Sequence, residues 1–312
     1  YIEAVKEFAR KFLMVDILMV DIKPIAKLSD GLRKLIAKPM FKYKKFEDLK
    51  PEDVKDSVVC VVVQQSEHRR VVEAILRLAS PRVILIEKPC GDGQEDFESI
   101  VKVCRGRTTL IIADHYLMRD VIREQIKYRV CEGVVKRGKR IAVFIMEGKR
   151  GLKADVISDL LIHAINILIH VLKVTEIKVR EAYYSVVNGI TASIFAHGIA
   201  KIGQETVEIL LCGGKFLWDS KCIVIQGDSM FTRIDLTRRG SLRYQTLLER
   251  IVREDPPEEL FTDGALTPEK VSEAWRLISE IERSAREVPL SLIHISEPTR
   301  PRLISYAVFC LK

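Results

Sequence analysis

The sequence contains no apolar run of the roughly 18 residues that a membrane-spanning helix requires, which argues against a helical membrane protein and for a soluble chain. None of its 7 cysteines forms a C-x-x-C pair. This argues against a zinc site or a redox dithiol, and it favours reduced thiols in a cytoplasmic protein with no metal centre. The chain also lacks internal repeats and low-complexity segments, which excludes solenoid and disordered classes.

An initiator Met is also missing. The chain opens on a helical pattern at residues 1–12 and continues into an apolar strand pattern at 15–21 that ends in Asp21. A helix followed by such a strand is typical of the second half of a βαβ unit. We therefore expect the first strand and its turn to lie upstream, and we interpret the chain as an N-terminally truncated gene fragment.

The C-terminal residues match a translated sequencing adapter. The stretch LSLIHISEPTR at 290–300 and the stretch ISYAVFCLK at 304–312 correspond to the two ends of such an adapter. Together they cover 20 of the 23 residues from Leu290 to Lys312. We expect residues 290–312 to be a non-native tail, and they are left out of the prediction of the fold.

The net charge of +8 is distributed rather than concentrated. Lys and Arg are scattered along the chain with Asp and Glu between them, which indicates a solvated surface and argues against a nucleic-acid partner. A mild attraction for anionic substrates is compatible with this charge.

Apolar strands and helices alternate in the first part of the chain, with strands at 58–63, 82–89 and 108–114. This pattern predicts an α/β fold with a Rossmann-type parallel sheet whose first strand is missing. After Asp114 the pattern changes to longer strands that predict an α+β domain with an open, mostly antiparallel sheet. We predict a truncated dinucleotide-binding domain at 1–114 and a substrate and oligomerisation domain at 115–289.

The stretch SDLLIHAINILIH places four polar residues in an apolar run: Asp159, His163, Asn166 and His170. At about 100° per residue they fall near one face of a helix. A buried carboxylate costs several kcal/mol unless it is paired, so the stretch is either the wall of a polar site or an amphipathic surface helix with a packed histidine. A metal site from these residues lacks a further ligand cluster, and His170 fits a packed histidine better than a ligand.

The stretch IEKPCG ends a predicted buried strand and places Lys88 at the carboxyl end of that strand, followed by Pro89. Ligands of open α/β sheets bind at this edge. His68 follows the preceding strand and is expected at the same edge. The alternative for Lys88 is an exposed lysine at a strand end without a function.

At this point the chain resembles the glucose–fructose oxidoreductase/inositol dehydrogenase (Gfo/Idh/MocA) superfamily. The resemblance rests on Glu87-Lys88-Pro89, on the pair of Asp159 and His163, and on the order of the two halves. It implies an NAD(P)-dependent oxidoreductase of a sugar or polyol in which Lys88 and His163 are catalytic and Asp159 assists. The residues expected to bind the cofactor are Asp21, His68, Glu87, Lys88 and Pro89.

The stretch ADHYLMRD is similar to glucose-6-phosphate dehydrogenases, in which such residues bind a sugar phosphate. The likeness gives His115, Tyr116 and Arg119 a role in substrate binding, because arginine binds phosphate through two hydrogen bonds. The chain departs from those enzymes at Ile162, where they have an Asn directly before the catalytic His, and in its shorter Asp-to-His spacing. The alternative is an ordinary strand end that leads into a helix.

The choice of cofactor depends on Asp21, because an acidic residue at the end of the second strand favours the free ribose hydroxyl of NAD over the phosphate of NADP. Lys23 weakens the argument, so NAD is favoured but NADP stays open. The family likeness also predicts a homo-oligomer that forms through the second-domain sheet. The alternative function is a non-catalytic regulator that senses a sugar or a dinucleotide, and we expect the truncated chain to be inactive because it lacks the glycine-rich turn.

Overall fold

The computed structural model describes residues 17–21, 41–118, 140–146, 155–215, 220–227, 231–236, 244–255, 265–288 and 307–311. The chain forms two compact units. The first comprises residues 1–118, 242–270 and 302–312, and the second comprises residues 119–241 and 271–301.

The first unit contains a seven-stranded sheet. With all strands of the chain numbered in order, its members are β1 (Ile17–Asp21), β2 (Phe41–Lys45), β3 (Val58–Val62), β4 (Val83–Glu87), β5 (Thr109–Ala113), β12 (Ala265–Leu266) and β14 (Ala307–Leu311). The order across the sheet is β12-β5-β4-β3-β14-β1-β2. The pairs β1–β2, β3–β4 and β4–β5 are parallel, which confirms the predicted Rossmann-type sheet.

The position of β14 differs from the sequence-based expectation. Residues 290–312 were left out of the predicted fold, but residues 307–311 form a strand between β3 and β1 and run antiparallel to both. The physical reason lies in the sheet itself. Without a strand at this position, β1 and β3 would each present unpaired backbone N–H and C=O groups, and an extended apolar segment satisfies both edges at once.

Three helices of the first unit come before β5 in the chain: α1 (Pro51–Val54), α2 (His68–Leu78) and α3 (Gln94–Cys104). Val71, Val72, Ile75 and Leu76 form the buried face of α2, which is the spacing of an amphipathic helix packed on a sheet. The sequence pattern predicts helices at 67–79 and 94–104, close to the observed bounds of α2 and α3. It also predicts helical segments at 1–12, 25–38 and 116–134, which lie wholly or largely outside the described residues.

The second unit contains the other seven-stranded sheet, in the order β11-β10-β6-β9-β8-β7-β13. Its strands are β6 (Arg140–Met146), β7 (Val174–Val187), β8 (Ile190–Ile202), β9 (Glu205–Gly214), β10 (Ser220–Gln226), β11 (Phe231–Asp235) and β13 (Ala285–Glu287). The pairs β6–β9 and β7–β13 are parallel, and the other pairs are antiparallel. The predicted open, mostly antiparallel sheet is confirmed.

The turn between β7 and β8 shows how the sequence builds this sheet. Asn188 and Gly189 both have positive φ, at 51° and 76°, which is the geometry that an Asn-Gly hairpin favours. Burial then alternates along β8, with Ala192, Ile194 and Ala196 facing the core. One face of the sheet is therefore packed, and the other face is partly exposed.

Three further helices complete the described chain. They are α4, a continuous helical stretch at residues 157–171, α5 (Tyr244–Val252) and α6 (Pro268–Ser284). The backbone N–H of Lys270 donates to Thr267 Oγ1 over 3.4 Å, so Thr267 caps the N-terminus of α6. No helix in the described part of the chain combines the length and apolarity that crossing a bilayer demands.

Candidate functional site

The carboxyl ends of β3, β4 and β5 lie side by side at one edge of the first sheet, because the three strands are parallel neighbours. Glu87 ends β4 in register with Ala113, which ends β5. The backbone N–H of Lys88 donates to the carbonyl of Ala113 over 3.1 Å. Lys88 therefore lies at the ligand-binding edge of the sheet, where the sequence pattern predicts it.

A tight turn follows Lys88. The Lys88–Pro89 peptide is cis, and because proline has no N–H the strand cannot continue its pairing. Gly91 has a φ of +91°, and a Cβ at this position would lie 2.7 Å from the backbone nitrogen of Phe97. Only glycine fits such a position without strain. Lys88 stays partly exposed, whereas Pro89 and Cys90 are buried.

His68 begins α2 close to the same turn, and its side chain is buried. Burial lowers the pKa of its imidazole to about 4. The backbone of Pro89 and of Val63 acts in the opposite direction, with a smaller contribution from Asp96. The imidazole is therefore neutral at pH 7 and packs beside the turn that carries Lys88.

A second turn organises the predicted substrate residues. Asp114 is buried directly after β5, and its Oδ1 accepts a hydrogen bond from the backbone N–H of Tyr116 over 2.9 Å. Its carbonyl accepts from the N–H of Met118 over 3.1 Å. The rings of His115 and Tyr116 lie 4.6 Å apart, with Tyr116 buried and His115 partly exposed. Sequence reasoning missed this role of Asp114 and treated it only as the end of a strand.

Two further predicted residues are described only in part or not at all. The backbone of β1 ends at Asp21, as the sequence pattern predicts, but the side chain of Asp21 lies outside the described residues. Arg119 also lies outside them. Their assigned roles stay predictions.

In the second unit, an N-terminal cap begins the helical stretch that carries Asp159 and His163. Asp155 Oδ1 accepts from the backbone N–H of Ile157 over 2.8 Å, and the carbonyl of Asp155 accepts from the N–H of Asp159 over 3.0 Å. A carboxylate here satisfies a free N–H and complements the positive end of the helix. Sequence reasoning missed this cap, although an aspartate before an apolar run is the usual signal.

The helix α4 is not regular along its length. Residues Ile157–Leu161 and Ile167–Val171 are π-helical, and Ile162–Asn166 is α-helical. A π turn contains one residue more than an α turn. Asp159 and His163 are four residues apart, so they lie about one turn apart on the same side of α4.

The helix α4 is buried rather than a surface helix. His163 and Asn166 are each only 1% exposed, and the apolar residues between and beside them on the same helix are also buried. His170 is partly exposed. The amphipathic surface helix considered from the sequence is therefore wrong, since polar groups at this depth must be held by specific interactions.

Lys215 is a further charged residue beside α4 that sequence reasoning missed. Its Nζ lies 2.7 Å from Asp159 Oδ2, and its side chain is only 6% exposed. Lys215 follows two glycines at the end of an apolar strand, so in the sequence it is typical of an ordinary turn residue. Its partner is distant in the chain, and for this reason no local pattern predicts the pair.

No protein-family model and no curated protein matches the sequence. Solved structures are similar to it. KijD10, a 3-ketoreductase from Actinomadura kijaniata in complex with TDP-benzene and NADP, shares 13% identity at a TM-score of 0.61 over 88% of this chain and 98% of that protein. The chain shares its fold. This observation confirms the two-domain fold that the Gfo/Idh/MocA resemblance implies.

Two other solved structures agree with this result. The UDP-N-acetylglucosamine 3-dehydrogenase GnnA from Acidithiobacillus ferrooxidans shares 15% identity at a TM-score of 0.55, over 73% of this chain and 78% of that protein. The aldose–aldose oxidoreductase from Caulobacter crescentus, complexed with glycerol, shares 13% identity at a TM-score of 0.63, over 85% and 88% of the two chains.

Proposed function

We propose that the chain is an NAD(P)-dependent oxidoreductase that transfers a hydride between the cofactor and a carbinol carbon of a sugar, polyol or sugar phosphate. The observation that carries the proposal is Lys88 at the carboxyl end of β4, in a fold shared with oxidoreductases of sugar-like substrates. In this proposal residues 1–114 bind the dinucleotide, residues 115–289 bind substrate and mediate association, and residues 290–312 are a non-native tail.

The donors at this edge of the first sheet fit a dinucleotide. The ends of β1, β3 and β4 lie at one edge of the sheet, where the partly exposed residue Lys88 contributes a positive charge. The dinucleotide cofactor, when bound, would accept or donate the hydride. Its proposed ligands are Asp21, His68, Glu87, Lys88 and Pro89. The preference for NAD rests on Asp21 alone, and the KijD10 complex contains NADP, so both cofactors belong in the test.

His163 is the proposed base. Oxidation of a secondary alcohol requires a group that accepts the hydroxyl proton while hydride leaves, and a neutral imidazole suits this role near pH 7. Lys88 is the proposed donor that stabilises negative charge on a substrate oxygen, as a preorganised donor does. Asp159, one turn before His163, orients the imidazole or binds a substrate hydroxyl.

The turn after β5 is the proposed site for the distal part of the substrate. His115 is partly exposed and stacks beside Tyr116, and Arg119 follows shortly in the sequence. Imidazole, phenol and guanidinium groups together bind a phosphate or several sugar hydroxyls. KijD10 in complex with TDP-benzene and GnnA, named for UDP-N-acetylglucosamine, extend the substrates worth testing to sugar nucleotides.

A turnover screen tests the proposal. NAD and NADP are each combined with inositols, aldoses, sugar phosphates and sugar nucleotides, and reduction of the cofactor is followed at 340 nm. Lys88→Met and His163→Asn should each lower kcat by about 10² to 10⁴-fold, whereas Lys102→Met, at an exposed lysine of the first unit, should not.

Two results would contradict the proposal. Full activity in Lys88→Met or His163→Asn would remove the assigned chemistry, and tight binding of ligand without turnover would instead favour the regulator. The screen is run on the 312-residue chain and on a longer form of the protein that includes a glycine-rich turn.

We further propose that two copies associate through the partly exposed face of the second sheet. Phe195 on β8 and Leu210 on β9 are half-buried on this face, and Phe231 on β11 is 70% exposed. Exposed apolar side chains on several strands of one face mark an association surface. Cys90, Cys104, Cys212 and Cys222 form no disulfide among the described residues, which supports the proposed cytoplasmic location.

Light scattering coupled to size exclusion tests the association. The wild type should elute as a dimer, and Phe231→Glu combined with Phe195→Glu should elute as a monomer. Lys102→Glu, at an exposed residue of the first unit, is the control and should stay dimeric. A monomeric wild type would refute the idea.

A further inference from the structure

We propose that Lys215 is a positioning residue for the reaction assigned above, and this inference rests on the proposed function. Lys215 Nζ lies 2.7 Å from Asp159 Oδ2, with side-chain exposures of 6% and 30%. An ammonium group buried to this degree requires a carboxylate partner. The pair therefore holds the Asp159 carboxylate in one place on α4, and Lys215 acts through Asp159 without touching the reacting atoms.

The end of β9 is built to bring Lys215 under the first turns of α4. The backbone N–H of Lys215 donates to the carbonyl of Ala192 over 3.2 Å, which fixes the chain beyond the last residue of β9. A Cβ on Gly213 would lie 2.9 Å from Val156 Cγ1 and 3.1 Å from Ile194 Cγ2. Because residue 213 has no side chain, the start of α4 packs directly on the end of β9.

The start of α4 is consequently fixed from two directions. Asp155 caps it from within the chain through the N–H of Ile157, and Lys215 fixes it from the sheet through Asp159. Asp159 lies about one turn before His163 on the same side of α4. An error of about 1 Å in the placement of a catalytic group costs roughly 10²-fold in rate. Loss of the ion pair is therefore expected to affect turnover more than binding.

Steady-state kinetics of Lys215→Met test this role. We expect kcat to fall by about 10 to 100-fold, with the KM of the cofactor unchanged within about twofold, and we expect Lys215→Arg to recover most of the loss because it retains the charge. Lys201→Met is the matched control. Lys201 Nζ lies 2.8 Å from Glu176 Oε2 in an exposed pair of the same sheet, and its loss should leave kcat unchanged.

A double-mutant cycle separates positioning through Asp159 from a general effect on folding. If Lys215 acts through Asp159, Lys215→Met should change kcat little when Asp159→Asn is already present. Equal kcat in wild type and Lys215→Met, or fully additive losses in the cycle, would overturn the inference and leave the proposed function intact. If Lys215→Met does not fold, the double variant and Lys215→Arg decide by the same criteria. No turnover by the longer wild-type form, which includes a glycine-rich turn, overturns the proposed function and this inference together.

Discussion

Acidification should destabilise the first unit through the buried side chain of His68. Burial lowers the pKa of this imidazole from its ordinary value of 6.5 to about 4 in the folded protein. Between these pH values the unfolded state binds more protons than the folded state, so the free energy of unfolding falls as the pH falls. The contribution of the neutral imidazole is fully present above pH 6.5 and is lost as the pH approaches 4. At about 1.4 kcal/mol per pH unit, the loss amounts to about 3 kcal/mol.

Hydrogen exchange followed by mass spectrometry measures this effect within the first unit. The amides of β3 and β4 are paired in the first sheet, and their exchange, corrected for its intrinsic pH dependence, reports the free energy of opening. His68→Leu removes the titratable group and keeps an apolar side chain in the same place. Between pH 7 and pH 4 the free energy of opening falls in both proteins, and the fall should be about 3 kcal/mol smaller in His68→Leu than in the wild type.

Peptides from β8 and β9 supply the internal control, since they belong to the second unit and should respond equally in both proteins. Parallel pH profiles of β3 and β4 in wild type and His68→Leu would refute the reasoning. Such a result would mean that the imidazole gains its proton in the folded state without a cost, and that burial does not set its pKa.

Three other predictions concern packing, thiol reactivity and the sheet. Gly198→Ala should lower the free energy of unfolding by about 1 to 3 kcal/mol, measured in urea, because a Cβ there would strike the backbone carbonyl of Lys178; an unchanged midpoint would contradict this. Burial raises the pKa of the Cys90 thiol, and it raises the pKa of Cys104 and of Cys212 to about 12. Alkylation of these three thiols at pH 8 should therefore be slow in the folded protein and fast in guanidinium. Val308→Pro should remove a backbone hydrogen-bond donor from β14, and amide exchange in the neighbouring strand β3 should become faster. Unchanged exchange in β3 would show that β14 does not support the sheet.

Much of the fold was accessible from local pattern. The strands β3, β4 and β5 are short apolar runs between amphipathic helices, and such runs are buried on both faces of a parallel sheet wherever they occur. Lys88 could be placed at a strand end for the same reason, because the position of a residue after a strand is a local property. The Asn188–Gly189 turn is equally local, since its backbone conformation requires these residue types.

The candidate site was only partly accessible. The spacing of Asp159 and His163 identified α4, but the residues that hold its start, Asp155 and Lys215, emerged from the structure. Asp155 was overlooked although its signal is present in the sequence. Lys215 had no such signal, because its partner Asp159 lies on another element. Gly213, which permits the contact, cannot be distinguished in the sequence from a turn glycine.

The sequence by itself determined most of the longer strands and helices, which of their faces are apolar, and which polar residues follow the strands, because these depend on residue type and on periodicities of 2 and 3.6 residues. Only the tertiary structure decided that residues 307–311 lie between β3 and β1, that β12 and α5 return to the first unit, and that Lys215 pairs with Asp159. These features arise from hydrogen bonds and charge pairs between distant segments. Their stability comes from satisfying buried polar groups, a requirement that exists only once the chain has folded.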